Sequence, residues 1–222
     1  MDIYKILEDH YPNGTLYSRS YYLGNNLHRE DGPAVESYYG NGVLKKQEWY
    51  QYAKRHREDG PALESFSDNG ICAERAWYLH GKPHCENAPA QEVFYQNGII
   101  RINVWFNDGK FHRDDGPAIE SFYSNGTLEF YVWYKDGKRH RADGPASEKV
   151  RKDGTAVTRI WYRNGSRHRL NGAAIETFSK DGRCVFARYY LNGKPLLKAE
   201  HSRQATLQKL LASHTISREL SL

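Results

Sequence analysis

Cysteine is scarce in this sequence, and long apolar runs are missing. The three cysteines, Cys72, Cys85 and Cys184, are odd in number and lack the spacing of a metal site. We therefore expect reduced thiols, as is usual in the cytoplasm. No apolar stretch approaches the roughly 18 residues of a membrane-spanning helix, and residues 1–5 lack the pattern of a secretory signal. These absences predict a soluble, cytoplasmic protein.

The residues that fill a large core are also few. Hydrophobic residues make up 39% of the chain, whereas aromatic residues reach 14%, with 17 Tyr and 5 Trp. Many aromatics beside 19 glycines favour a thin sheet structure with many turns, in which aromatic side chains cover the sheet faces. The net charge of +5 permits an acidic protein or a nucleic acid as partner and requires neither.

A period of 28 residues runs through nearly the whole chain. Turn glycines recur in this phase from Gly14 to Gly182, and three further columns share it. The histidine column is His28, His56, His84, His112, His140 and His168. The glutamate column continues from Glu8 as Glu36, Glu64, Glu92, Glu120, Glu148 and Glu176. The tryptophan column is Trp49, Trp77, Trp105, Trp133 and Trp161, each followed by Tyr or Phe.

Each unit has the pattern of a β-meander. In residues 116–143, strands are predicted at Ala118–Tyr123 and Thr127–Tyr134 and a short one at Lys138–His140, separated by Asn-Gly and Asp-Gly turns. We therefore predict an all-β fold: an elongated array of seven stacked 28-residue antiparallel hairpin repeats, forming one domain over residues 1–198.

The last residues have a different pattern. Leu207, Leu210, Leu211 and His214 follow Ser202, a possible N-cap, at helical spacing. Over residues 199–222 we therefore predict a short helix that caps the last sheet edge. The alternative is a disordered or partner-binding tail.

The polar columns have two interpretations. A His/Glu pair such as His112 and Glu120 could be an acid–base couple or a metal site. A catalytic site is needed only once in a protein, whereas the contacts between stacked repeats are needed in every repeat. Because the pair recurs in each repeat, we interpret it as a structural hydrogen bond at each junction. The tryptophans are likewise interpreted as packing residues, the alternative being a stacking platform for bases or for a partner's side chains.

Of these sequence features, the basic residues between 138 and 169 are the one that the repeat explains least. The stretch contains only three acidic residues. Its ten basic residues are Lys138, Arg139, Arg141, Lys149, Arg151, Lys152, Arg159, Arg163, Arg167 and Arg169. Such a stretch could bind an acidic protein surface or nucleic acid phosphates, or be a solvated face with no partner.

Segments such as Trp133–His140 and Trp105–His112 resemble the core of MORN repeats, which are β-hairpin units with an aromatic residue and a Gly-Lys turn. The unit here is longer than a plain MORN unit. It carries an added block, as in His112–Ala118, that resembles one in repeat proteins of tailed phages and large DNA viruses.

The resemblance implies a viral scaffold that binds a host protein, one version being inhibition of a host defence complex. The alternative function is nucleic-acid binding through residues 138–169. No nucleophile, phosphate-loop or metal motif occurs, so neither catalysis nor a cofactor is expected. The oligomeric state is left open.

Overall fold

The computed structural model describes residues 4–219, which form antiparallel strands followed by one helix. The chain divides into two compact units. One runs to Arg113 and includes Ala118–Thr127, and the other comprises Asp114–Pro117 and the chain from Leu128 onward. In each unit the strands of the main sheet follow one another in hairpin order, as the sequence predicts for an all-β hairpin repeat.

Each repeat contributes two strands to the main sheet. The first strands are β1 (Tyr4–His10), β4 (Val35–Tyr38), β8 (Leu63–Phe66), β12 (Gln91–Phe94), β16 (Ile119–Phe122), β20 (Ser147–Val150) and β24 (Ile175–Phe178). The second strands are β2 (Leu16–Leu23), β5 (Leu44–Glu48), β9 (Cys72–Ala76), β13 (Ile100–Val104), β17 (Leu128–Val132), β21 (Ala156–Ile160) and β25 (Cys184–Leu191). An interior first strand pairs with the second strands before and after it, as β12 does with β9 and β13.

The remaining strands are short and mostly form separate two-stranded hairpins. They are β3 (Asn26–Leu27), β6 (Tyr50–Gln51), β7 (Lys54–Arg55), β10 (Tyr78–Leu79), β11 (Lys82–Pro83), β14 (Phe106–Asn107), β15 (Lys110–Phe111), β18 (Tyr134–Lys135), β19 (Lys138–Arg139), β22 (Tyr162–Arg163), β23 (Ser166–Arg167) and β26 (Lys194–Leu196). β3 and β26 instead pair with β2 and β25. The predicted single strand Thr127–Tyr134 is therefore two strands. The chain leaves the main ladder at Trp133, whose N–H donates to the carbonyl of Ala146 at 2.7 Å.

The two turns of a repeat differ in backbone geometry. At the first turn of the repeat around residue 126, only Gly126 has a positive φ, of 82°. At the second turn both residues do, with φ of 49° at Asp136 and 77° at Gly137. Two successive positive φ values match the right-handed twist of a tight two-residue hairpin, which explains the Asp-Gly and Asn-Gly pairs there.

The core is narrow and is built on alanine. The alanine column consists of Ala34, Ala62, Ala90, Ala118, Ala146 and Ala174, each at most 1% exposed. Their carbonyls accept the N–H of the repeat aromatic residue, as Ala62 does from Trp49 at 2.9 Å. This column follows the same 28-residue period, but it was not among the predicted features. The largest fully buried side chain is His28.

A helix, α1, spans Lys198–Glu219 and contacts β25, as predicted for a cap. Up to residue 211, where its side chains are described, the buried ones are His201 and Ala205, 2% and 3% exposed, whereas the leucines Leu207, Leu210 and Leu211 are exposed. Ser202 is not the N-cap, since it lies in the second turn and its hydroxyl donates to the Lys198 carbonyl. The side chain of His214 lies outside the described residues. Within the described part of the chain, no helix has the length and apolar content to cross a membrane.

Candidate functional site

The segments that join successive repeats present most of the polar side chains of interest. We call each segment from repeat histidine to repeat alanine a junction block; the blocks span 28–34, 56–62, 84–90, 112–118, 140–146 and 168–174. The block arginine lies over the ring of the aromatic residue of its own repeat. The Cζ-to-centroid distances are 4.1 Å for Arg29 on Tyr21, 4.1 Å for Arg57 on Trp49, 4.1 Å for Arg113 on Trp105, 4.4 Å for Arg141 on Trp133 and 3.7 Å for Arg169 on Trp161.

These stacks bear on the role of the tryptophan column. A guanidinium already covers one ring face in these repeats, and the tryptophans are half-buried. In several blocks the same arginine bonds the aspartate two residues on, as Arg57 does to Asp59 at 2.8 Å. In these repeats one face of the ring therefore packs against the block arginine. Arg29, Arg57 and Arg141 bond the aspartate of their own block, whereas Arg169 bonds Glu176 in the strand that follows its block.

The predicted histidine–glutamate bond is wrong for four column histidines. Their ring Nδ1 instead accepts a backbone N–H from the short hairpin of the next repeat, 24 residues further along. The pairs are His28 with Tyr52 at 3.2 Å, His56 with His80 at 3.2 Å, His140 with Asn164 at 3.2 Å and His168 with Asn192 at 3.1 Å. These histidines are structural, but the bond links one repeat to the next through the backbone.

Some members of the glutamate column bond side chains of neighbouring strands, whereas Glu176 bonds the block arginine Arg169. Glu148 accepts from Tyr131 at 2.8 Å and from Arg159 at 2.8 Å, so it bridges β17 and β21. Glu64 accepts from Gln47 at 2.6 Å in the same way. Burial raises the pKa of Glu92 and Glu120, whose side chains lie in the equivalent position. Glu64 and Glu148 therefore link adjacent strands of the main sheet.

The ten basic residues of 138–169 lie in three places. Arg151 and Lys152 are at the tip of a main-sheet hairpin, where Arg151 donates to the carbonyls of Ala156 and Phe178 at 2.8 and 2.9 Å. Lys149 and Arg159 are on the main sheet beside Glu129 and Glu148 respectively. The others belong to the short hairpins and junction blocks: Lys138, Arg139, Arg141, Arg163, Arg167 and Arg169.

Three of these arginines converge on one cleft, which we call the basic cleft. It lies between junction blocks 140–146 and 168–174, has a volume of about 310 Å³, and is lined by Arg141, Arg163 and Arg169 with Tyr162, His168 and Asn171. Arg141 is bonded to Asp143, and Arg169 to Glu176 at 2.8 Å. Arg163 is exposed and has no ion pair among the described residues.

His168 adds a neutral polar group to the basic cleft. Burial lowers its pKa, and the charge of Arg163 acts in the same direction. Because Nδ1 accepts the Asn192 N–H, the ring proton is on Nε2. The cleft therefore combines guanidinium groups with a neutral imidazole donor.

An equivalent cleft between two earlier junction blocks has a lining of opposite net charge. A cleft of about 730 Å³ between blocks 28–34 and 56–62, which we call the acidic cleft, is lined by two arginines, Arg29 and Arg57, against four carboxylates. Those carboxylates are Glu30, Asp31, Glu58 and Asp59. The basic cleft has Ala142, Leu170 and Asn171 in three of the four corresponding positions, and Arg163 where the acidic cleft has Gln51.

A row of tyrosines and arginines beside the basic cleft was not predicted from the sequence. Arg139 donates to the hydroxyls of Tyr134 and Tyr162 at 3.3 and 3.2 Å, and Arg167 lies 5.4 Å from the Tyr190 ring centroid. Burial acts to raise the pKa of Tyr162, but hydrogen bonds from Arg167 and Arg139 outweigh it, so that pKa lies below the usual value. The Tyr or Phe that follows each column tryptophan was the sequence feature that could have indicated this row.

A scan against protein-family models finds no match, and a search of curated proteins finds no relative. The site is therefore interpreted on its own geometry. Among residues 4–219, no cluster of His, Cys, Asp and Glu could hold a metal ion.

Proposed function

We propose that this protein is a non-enzymatic binding scaffold that holds an acidic segment of another protein in the basic cleft. The observation that carries the proposal is the contrast between equivalent clefts. One is lined by two arginines and four carboxylates, the other by three arginines and one aspartate. A repeat needs the same contacts at each junction, so a change of charge at one junction points to a ligand there.

The chemistry of the cleft suits a carboxylate. Arg163 is exposed and available for a bidentate pair, and the Nε2–H of His168 can donate to a second oxygen. Arg141 and Arg169 are held over their tryptophans, so they lose little side-chain freedom on binding. The host-directed version of this role, inhibition of a host defence complex, rests on the resemblance of the junction block to repeat proteins of phages and large DNA viruses.

Nucleic-acid binding, the second candidate, has less geometric support. A phosphate-binding surface should present many free cations along one track. Arg151 is bonded to main-chain carbonyls and Arg159 to Glu148, so the ten basic residues form no such continuous track. Guanidinium groups also cover ring faces on which bases would stack.

The test measures binding of a fluorescent polyglutamate peptide to the wild-type chain and to Arg163→Gln, which copies Gln51 of the acidic cleft. Loss of one charge-assisted contact should weaken binding by about tenfold. Lys180→Gln removes the same charge at an exposed turn away from the cleft and should leave binding within about twofold, since distant surface charges are screened.

Two results would overturn the proposal. If both variants weaken binding equally, the cleft is not the site. If single-stranded DNA binds more tightly than the peptide, with an affinity that falls steeply with salt, the nucleic-acid function is favoured instead.

A further inference from the structure

The first strand of the main sheet is exposed along its whole length. All seven residues of β1 are exposed, whereas the strands in the same place in later repeats, such as β4 and β8, are half-buried or buried. Those strands have a neighbour on each side; β4, for example, pairs with β2 and β5. In the described part of the chain β1 pairs with β2 alone.

This edge is apolar as well as unpaired. Tyr4 is 62% exposed, Ile6 57% and Leu7 43%. Ile6 lies 28 residues before Ala34, so it occupies the position that the alanine column fills in later repeats, and those alanines are fully buried. An exposed edge strand usually has a proline, a central bulge or inward-pointing charges that prevent pairing. β1 has a register shift only at its end, between Asp9 and His10.

The charges of β1 are complementary to those of a second, antiparallel copy of the strand. Lys5, Leu7 and Asp9 lie on one face, because side chains alternate along a strand. If two copies pair antiparallel about Leu7, each Lys5 is opposite Asp9 of the second copy and the two Leu7 side chains meet. On the other face, Ile6 is opposite Glu8, which is already bonded to Arg19 at 2.6 Å.

The neighbouring registers lack this match. Pairing about Glu8 would place the two Glu8 carboxylates opposite each other, and like charges in that position are destabilising. Pairing about Ile6 would place Lys5 opposite Leu7 and leave Asp9 without a cation. Of these three registers, only the one centred on Leu7 places both Lys5 and Asp9 opposite a residue of opposite charge.

We propose that β1 pairs edge to edge with β1 of a second copy of this chain, forming a two-fold symmetric antiparallel dimer centred on Leu7. A symmetric dimer uses the same patch on both copies, so each favourable pair occurs twice. At the other candidate edge, residues 184–188 of β25 pair with no strand other than β24 among the described residues. It carries no comparable self-complementary charge pattern.

The experiment uses sedimentation equilibrium of the full chain with single charge reversals. Lys5→Asp places two carboxylates opposite each other at both ends of the pairing, and Asp9→Lys places two ammonium groups there. Each variant should raise the dimer dissociation constant by about tenfold or more. An equimolar mixture of the two variants should dimerise like the wild type, because Lys5→Asp in one copy and Asp9→Lys in the other again place opposite charges at both ends of the pairing.

The controls separate this effect from misfolding and from net charge. Lys180→Asp and Asp68→Lys make the same charge changes at exposed turns and should leave the dimer unchanged. At a protein concentration low enough for the wild type to be monomeric, thermal melting of each β1 variant should match the wild type. A monomeric wild type at high micromolar concentration would overturn the proposal. A dimer that persists in both charge-reversal variants would also overturn it. A molecular mass that rises beyond that of a dimer would do the same, because larger assemblies require head-to-tail pairing between β1 and β25.

Discussion

At the scale of single residues, the arginine stacked on each junction aromatic decides what can occupy the position three residues further on. A Cβ added at Gly32, Gly60 or Gly144 would lie 2.8 to 2.9 Å from the Cζ of the block arginine. A side chain at these positions would therefore displace the guanidinium from its place over the ring. In block 84–90 the arginine position is Cys85 and the glycine position is Ala88, so the two departures occur together.

This linkage predicts a strong coupling between positions 85 and 88. Cys85→Arg alone should not stabilise the protein, because the Ala88 side chain occupies the space of the guanidinium. Combined with Ala88→Gly, the arginine can lie over Trp77, and the pair should be more stable than the sum of the single variants by about 1 kcal/mol. Urea unfolding of the four proteins measures the coupling.

Block 56–62 supplies the converse control. Gly60→Ala should displace Arg57 from Trp49 and destabilise the protein, whereas Gly40→Ala, with no atom near the added Cβ, should have little effect. Additive effects of the two changes at 85 and 88 would contradict the linkage.

The sequence indicates a structural role for the tryptophans, but it does not indicate the partner of the histidines. A residue type repeated at every rung indicates a structural role, and the stacked Arg–Trp pairs are consistent with it. The histidine partner is a backbone N–H 24 residues away, as for His56 and His80. Backbone donors are present at nearly every position, so no residue type marks the partner, and the glutamate column was the more visible choice.

At the scale of elements, two sets of contacts link a short hairpin to that of the next repeat in the same unit. One is the histidine Nδ1 bond, and the other is a backbone bond such as Gly165 N–H to the Arg139 carbonyl at 2.9 Å. Both depend on the chain leaving the main sheet at the aromatic residue. The alternation of apolar residues through Leu128–Tyr134 concealed this break, because a period of two continues across it.

Protonation of His168 should weaken its link between hairpins. Its pKa is lowered in the folded protein below the ordinary 6.5, mainly by burial, so the unfolded chain binds the proton more readily. The contribution of His168 is complete above that ordinary value and falls as the pH drops through the folded-state pKa. Unfolding free energies measured between about pH 5 and pH 7.5 should therefore decrease on the acid side.

Replacing His168 tests this assignment. His168→Gln keeps a hydrogen-bond acceptor and removes the titration, so it should reduce the acid-side loss of stability. An unaltered profile in His168→Gln would show that other groups cause the loss.

At the scale of the whole molecule, the strict period means that stability is set by contacts between adjacent repeats. In the first unit, β8 pairs only with β5 and β9 in the main sheet, and β9 only with β8 and β12. A repeat removed in phase therefore leaves its neighbours with equivalent partners. Sequence periodicity predicts this property directly, whereas the charge of a single cleft depends on side chains that the period does not specify.

Deletion of residues 61–88, one period, should consequently leave a folded protein. It joins Gly60 to Pro89 and so recreates a Gly-Pro-Ala junction. Cooperative urea unfolding should persist, with an m-value reduced by about one eighth, in proportion to the chain removed. Deletion of residues 61–74, half a period, places first strands where second strands belong and should abolish the cooperative transition. Equal damage from both deletions would contradict a stack stabilised by neighbouring repeats.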